Sequence, residues 1–178
     1  MKPYLALCMA LLCVAAFCAC GAAAPDVDVE IDQTLAAPVG NAPNFIVQDK
    51  DGNAVQLSDF AGKPVVINFW ATWCGYCKLE MPDFDRAYRE YPDVVFLMIN
   101  ATDGVYETRA KADAYVAQEG FAFDVYYDVT GAAQNAYNLT GYPTTVFINA
   151  QGDVVAKEVG MISYETLVQG ISLIQNEK

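Results

Sequence analysis

The sequence predicts an α/β fold in three layers: a mixed central sheet flanked by helices, with a β-hairpin extension at its N-terminal end. Three observations carry this. Apolar runs of strand length alternate with segments of helical period from residue 65 onward, the mark of parallel strands joined by helices. The chain then closes with a hairpin and one more helix. Ahead of the first long apolar run stands an Asp51-Gly52 turn between two short strand-like segments.

The elements follow in order. Asn44–Asp49 and Val55–Leu57 flank Lys50-Asp51-Gly52-Asn53 and predict the opening hairpin. Ser58-Asp59-Phe60 suggests a short helical turn. Val65–Trp70 is continuously apolar apart from Asn68 and reads as a buried strand. After Cys74, residues Cys77, Met81, Phe84, Tyr88 and Tyr91 recur at spacings of four and three, one apolar helix face. Pro82 should kink that helix and Pro92 should stop it. Val94–Asn100 is a second buried strand. Tyr106–Glu119 predicts a helix ended by Gly120. Phe123–Tyr127 is a short strand and Ala132–Tyr137 a short helix. Thr144–Asn149 and Val154–Val159 bracket Ala150-Gln151-Gly152-Asp153 as a second hairpin, and Ser163 caps a last helix reaching about Gln175.

The first 42 residues differ in kind. Lys2 followed by the apolar run Leu5–Phe17 reads as an export signal over residues 1–19, with a retained membrane anchor as the rival. Phe17-Cys18-Ala19-Cys20-Gly21 resembles a lipoprotein box that would lipidate Cys20, although Phe17 and Cys18 depart from its usual residues. Ordinary cleavage near Ala22-Ala23-Ala24 competes, disfavoured by Pro25. Residues 20–42 form an acidic Ala/Pro-rich linker with too little apolar surface to order itself, spanning roughly 25 Å. The folded domain is expected over 43–178. Of 178 residues, 54% are hydrophobic and 12% aromatic, ample for a packed core. Net charge is −12 with few scattered basic residues, which excludes nucleic-acid binding as a reading and favours solubility.

The chemistry sits at Trp73-Cys74-Gly75-Tyr76-Cys77, where a buried strand runs into a helix start. Unpaired N–H groups there carry partial positive charge and favour a thiolate at Cys74. Lowering a thiol pKa from about 8.5 to about 7 is worth roughly 2 kcal/mol of thiolate stabilisation. Cys77, one turn on, can close a disulfide or resolve a mixed one. A structural disulfide and half a zinc site are the bland alternatives. Zinc normally takes four ligands, and the chain has no histidine. Loss of Cys8, Cys13 and Cys18 with the signal, together with lipidation of Cys20, would leave only Cys74 and Cys77 as free thiols. Lys78 after Cys77 breaks the Cys-x-x-Cys-His pattern of haem attachment.

From about Pro43 to the C-terminus the chain resembles thioredoxin-fold proteins, in particular the membrane-tethered thiol–disulfide oxidoreductases of the TlpA/ResA type. The resemblance rests on Asn68-Phe69-Trp70-Ala71-Thr72-Trp73-Cys74-Gly75-Tyr76-Cys77, on Gly141-Tyr142-Pro143-Thr144-Thr145 and on the Asp51-Gly52 entry. It implies a thioredoxin-like three-layer fold. It implies a cis peptide at Pro143 facing the dithiol, whose edge, with Tyr142, pairs with substrate backbone. It makes Trp73 a shield over the disulfide, with a half-buried surface aromatic as the rival reading, and counts Trp73, Tyr76 and Tyr142 as substrate-binding. Cytoplasmic thioredoxins carry a buried Asp where Asn68 stands, so proton handling falls to another group. Glu80, three residues after Cys77, is the candidate, with an exposed early-helix carboxylate as the rival. Peroxiredoxins need Thr or Ser three residues before the reactive cysteine; Ala71 stands there.

The function expected is an extracytoplasmic protein-disulfide reductase, kept reduced by a membrane thiol–disulfide electron carrier and needing no cofactor or metal. Its partners would be exported disulfide-containing proteins, such as apocytochrome c or a methionine sulfoxide reductase. It would sit on the membrane through its lipid, as a monomer. A disulfide-forming oxidant is the rival enzyme, and a lipoprotein binding module with a structural disulfide the rival non-enzyme.

Overall fold

The computed structural model describes residues 40–176. The expected export segment, Cys20 and the linker up to residue 39 lie outside the described residues. Residues 40–42, assigned above to the linker, are tied to the domain. Ala42 is buried and donates to the Gly152 carbonyl (2.9 Å), and Asn41 Oδ1 accepts from Val154 N–H (2.8 Å). Among the described residues no helix is long and apolar enough to cross a membrane.

The strands are β1 (Ile46–Gln48), β2 (Ala54–Gln56), β3 (Val65–Trp70), β4 (Val95–Asn100), β5 (Val125–Tyr127), β6 (Thr144–Ile148) and β7 (Val154–Val159). The helices are α1 (Gly75–Glu90), α2 (Arg109–Glu119), α3 (Ala132–Ala136) and α4 (Tyr164–Asn176). The sheet order is β2-β1-β5-β4-β3-β6-β7. The pairs β3–β4 and β4–β5 are parallel; β1–β2, β1–β5, β3–β6 and β6–β7 are antiparallel. The sheet is therefore mixed, as the alternation of elements predicts.

Central strands are buried on both faces, which explains their unbroken apolar runs. Side chains alternate between faces. Val66 and Trp70 join one core cluster with Met81 and Phe84 of α1, Ala112 of α2 and Leu167 and Ile171 of α4. Val65, Ile67 and Phe69 join the other, with Ala133 of α3 and Leu57 of a 3₁₀ turn (Leu57–Phe60). A Cβ at Gly170 would lie 2.2 Å from the buried Phe147 ring, so glycine sets how closely α4 approaches β6.

The two hairpins are built alike. Asp49 Oδ1 accepts from the N–H of Asp51 and Asn53 (both 2.8 Å), and Asn149 Oδ1 accepts from Gln151 (3.1 Å) and Asp153 (2.8 Å). In each, a glycine with positive φ follows, Gly52 at 87° and Gly152 at 83°.

Pro82 lies inside α1, which continues through it to Glu90. The residue is on the exposed face, where water can take the bond its missing N–H leaves unmade. Helix α2 starts at Arg109, not Tyr106. Asp103 Oδ1 takes the N–H groups of Val105 (2.7 Å), Tyr106 (2.7 Å) and Glu107 (2.9 Å), which holds them in a loop. Thr108 then caps the helix through Lys111 N–H.

Candidate active site

Cys74 is the N-cap of α1 and Cys77 lies in its first turn. The two are joined in a disulfide, with Cα atoms 5.3 Å apart. Cys74 Sγ accepts a hydrogen bond from Cys77 N–H (3.1 Å), the orphan donor that a helix start offers. A thiolate at Cys74 would be held by that same group. Cys77 is fully buried. Cys74 is only 6% exposed, so in the disulfide state the outer cysteine shows a sliver of surface and not an open thiol.

Glu80 is not the exposed carboxylate of the rival reading: it is 1% exposed. Oε1 accepts from Asn68 Nδ2 (2.7 Å) and Oε2 from the Ile162 N–H (3.0 Å). Burial pushes its pKa up to about 7, against the lowering effect of those two donors; the Asp83 charge adds to the rise. Asn68 Nδ2 also donates to Thr145 Oγ1 (3.2 Å), two residues beyond Pro143. One buried network thus joins β3, α1, β6 and the segment before α4. Asn68 Oδ1 is buried with no partner among the described residues.

The Tyr142-Pro143 peptide is cis, as the resemblance implies. The Pro143 carbonyl accepts from Gly160 N–H (2.8 Å). Trp73 and Tyr142 meet edge to face with ring centroids 5.5 Å apart, and the Tyr142 hydroxyl is hydrogen-bonded to Gln134 Oε1. Trp73 and Tyr76 are 60% and 65% exposed. The structure thus gathers Trp73, Cys74, Cys77, Glu80, Tyr142 and Pro143 around the start of α1; Cys20 lies outside the described residues.

Glu107 was not legible in the sequence. It is fully buried, and its carboxyl accepts from Thr72 N–H (2.9 Å), Thr72 Oγ1 (2.6 Å) and Asn100 Nδ2 (2.7 Å). It therefore grips the residue two before Cys74. Nothing local marks it: a lone glutamate before a Thr cap looks like any solvated loop acid. Among the described residues no group of three or more His, Cys, Asp or Glu side chains could hold a metal ion.

The AhpC/TSA family model matches residues 39–157, which span the hairpin, the dithiol and the cis-proline segment. The chain belongs to the AhpC/TSA family. Within it, the chain is 30% identical over 148 residues to the thiol-disulfide oxidoreductase ResA of Halalkalibacterium halodurans, covering 82% of each chain. It is 32% identical to ResA of Bacillus subtilis, covering 76% of this chain and 74% of that one. Among solved structures, the exposed lipoprotein thioredoxin Etrx1 of Streptococcus pneumoniae superposes with a TM-score of 0.65 at 28% identity, over 73% of this chain and 98% of that one. This AhpC/TSA member therefore has a thioredoxin-like fold and is a thiol–disulfide oxidoreductase of the ResA type that carries a Cys74–Cys77 Cys-x-x-Cys disulfide.

Proposed function

We propose that this oxidoreductase works as a reductant of disulfides in exported proteins. Cys74 thiolate attacks a substrate disulfide and expels one substrate thiolate. Cys77 then attacks Cys74 Sγ, releases the second substrate thiol and closes Cys74–Cys77. Glu80 accepts the Cys77 proton in that second step. Pro143 has its carbonyl engaged by Gly160, so pairing with the substrate backbone falls to Tyr142. A membrane thiol–disulfide carrier restores the dithiol. Oxidised Cys-x-x-Cys of apocytochrome c is the substrate class that the TlpA/ResA resemblance favours, with an oxidised methionine sulfoxide reductase as the second.

The observation that carries the direction is the acidic setting of the dithiol. Glu80 and Glu107 are both buried, and no Lys or Arg nitrogen lies within 4.0 Å of either among the described residues. Strong oxidants of this chemistry owe their potential to a stabilised reduced, thiolate form. Here the thiolate has one N–H donor and the helix start in its favour, and a buried carboxyl whose charge, once ionised, opposes it. Equilibration of the Cys74–Cys77 couple with glutathione or thioredoxin should give a midpoint near or below about −250 mV; a value near about −120 mV would make the protein an oxidant.

The same reading places the protein outside the cytoplasm, held by lipid on Cys20. The lipoprotein-like box and the likeness to an exposed lipoprotein thioredoxin support it. Wild type should then partition with membranes and Cys20→Ala should be released or left unprocessed, because several acyl chains anchor firmly where one does not. Recovery of wild type wholly in the soluble fraction, starting at Pro25, would refute the anchor.

A further inference from the structure

Val105 and Tyr106 are 72% and 78% exposed, the highest values among the exposed large hydrophobic side chains of the described residues. Single exposed apolar residues are ordinary. The backbone that carries these two is held in place. Asp103 Oδ1 accepts the backbone N–H of both, Lys111 Nζ donates to the Tyr106 carbonyl (2.6 Å), and the Glu107 carbonyl accepts from Asp103 (2.9 Å) and Gly104 (3.0 Å). The loop is closed on itself by hydrogen bonds that spend its polar groups and leave its apolar ones outward.

The same loop is clamped to the redox site. Glu107 holds both the N–H and the hydroxyl of Thr72, and Thr72 is followed by Trp73 and Cys74. Asp103 lines a groove together with Trp73, Tyr142 and Gln134. The exposed Trp73 and Tyr76 thus stand on one arm and Val105 and Tyr106 on a second, and a buried carboxyl fixes one arm to the other. Asp103 and Lys111, the charges at the root of the second arm, both spend hydrogen bonds on the loop's own backbone, so Val105 and Tyr106 are the side chains the arm presents outward.

We propose that the 103–107 loop is a second wall of the substrate surface, and that it selects polypeptide disulfides carrying a large apolar side chain a few residues from the attacked cysteine. This rests on the dithiol acting on protein disulfides, as proposed above. Pre-ordering of the loop means that binding such a side chain costs little further entropy.

The test uses short peptides whose single cysteine is joined in a mixed disulfide to thionitrobenzoate, with Phe or Ser at a flanking position. Cys74 thiolate attacks the peptide sulfur, the peptide–thionitrobenzoate bond breaks, and yellow thionitrobenzoate anion leaves. Cys77 then displaces the peptide thiol and closes the disulfide. In a single turnover, reduced wild type should prefer the Phe peptide by about tenfold in second-order rate constant, the usual scale for one apolar contact. Val105→Ser combined with Tyr106→Ser should abolish that preference and leave the rate with Ellman's reagent, the thiol titration and the melting temperature unchanged. A wild type blind to Phe against Ser, or a double variant that keeps the preference, overturns the proposal. Failure of wild type to react with Ellman's reagent would strike the dithiol reading itself and this inference with it.

Discussion

Cys77→Ser is expected to stall after the first chemical step and to accumulate a mixed disulfide with its target, whereas Cys74→Ser should fall to the rate of uncatalysed exchange. The difference follows from where α1 begins. Cys74 is the N-cap, its sulfur faces the Cys77 N–H at 3.1 Å, and it alone reaches the surface, 6% exposed against none for Cys77. A thiolate there is stabilised by a donor the helix cannot otherwise use. Cys77 is packed with Met81 and Phe84 in the core, where burial disfavours a thiolate until a mixed disulfide brings a leaving group to it. Serine at 77 keeps the N–H donor and removes only the resolving sulfur. Non-reducing gels of either variant, expressed where its substrates are, should show the trapped adduct for Cys77→Ser, and its identification would name the substrate. A better trap by Cys74→Ser, or first labelling of Cys77 by iodoacetamide in the reduced wild type, would reverse the assignment.

What could be read from the sequence is what is local. The strand Val65–Trp70, the cysteine pair and the face of α1 are contiguous or periodic, so pattern suffices. Gly52 and Gly152 mark their hairpins because a turn of that kind needs positive φ in one place. Misreadings came where a side chain competes with backbone. Tyr106–Thr108 carry helix-compatible residues, but Asp103 captures the N–H groups of Tyr106 and Glu107, and only the folded loop shows it. Glu107 is the limiting case. Its partners Thr72 and Asn100 lie 35 and 7 residues away, and its burial follows from the sheet that brings β3 and β4 side by side. Glu80 stands between: its spacing from Cys77 is readable, while its partners Asn68 and Ile162 come from other elements.

Glu80→Gln should change both the pH dependence and the rate, in opposite senses for stability and activity. The carboxyl titrates near 7 in the folded protein, raised from the ordinary 4.5 chiefly by burial. Between those values the folded state holds a proton that the unfolded chain has released, so wild-type stability declines as pH rises through that window. The span of about 2.5 pKa units sets the scale at roughly 3 kcal/mol. Glutamine has no proton to lose. Its amide can still accept from Ile162 N–H, and Asn68 can turn its unpartnered Oδ1 to accept from the new NH₂. The variant should therefore be as stable as wild type near pH 5 and more stable above pH 8, by denaturant titration of the oxidised form. Exchange should slow by roughly 100-fold, the lower range for loss of a general base, and the limb of the pH–rate profile near 7 should vanish. A structural role alone would lower stability at every pH and leave the shape of the rate profile intact. Alkylation-versus-pH curves and rate profiles identical to wild type would return Glu80 to a packing residue and remove the proton acceptor from the resolving step.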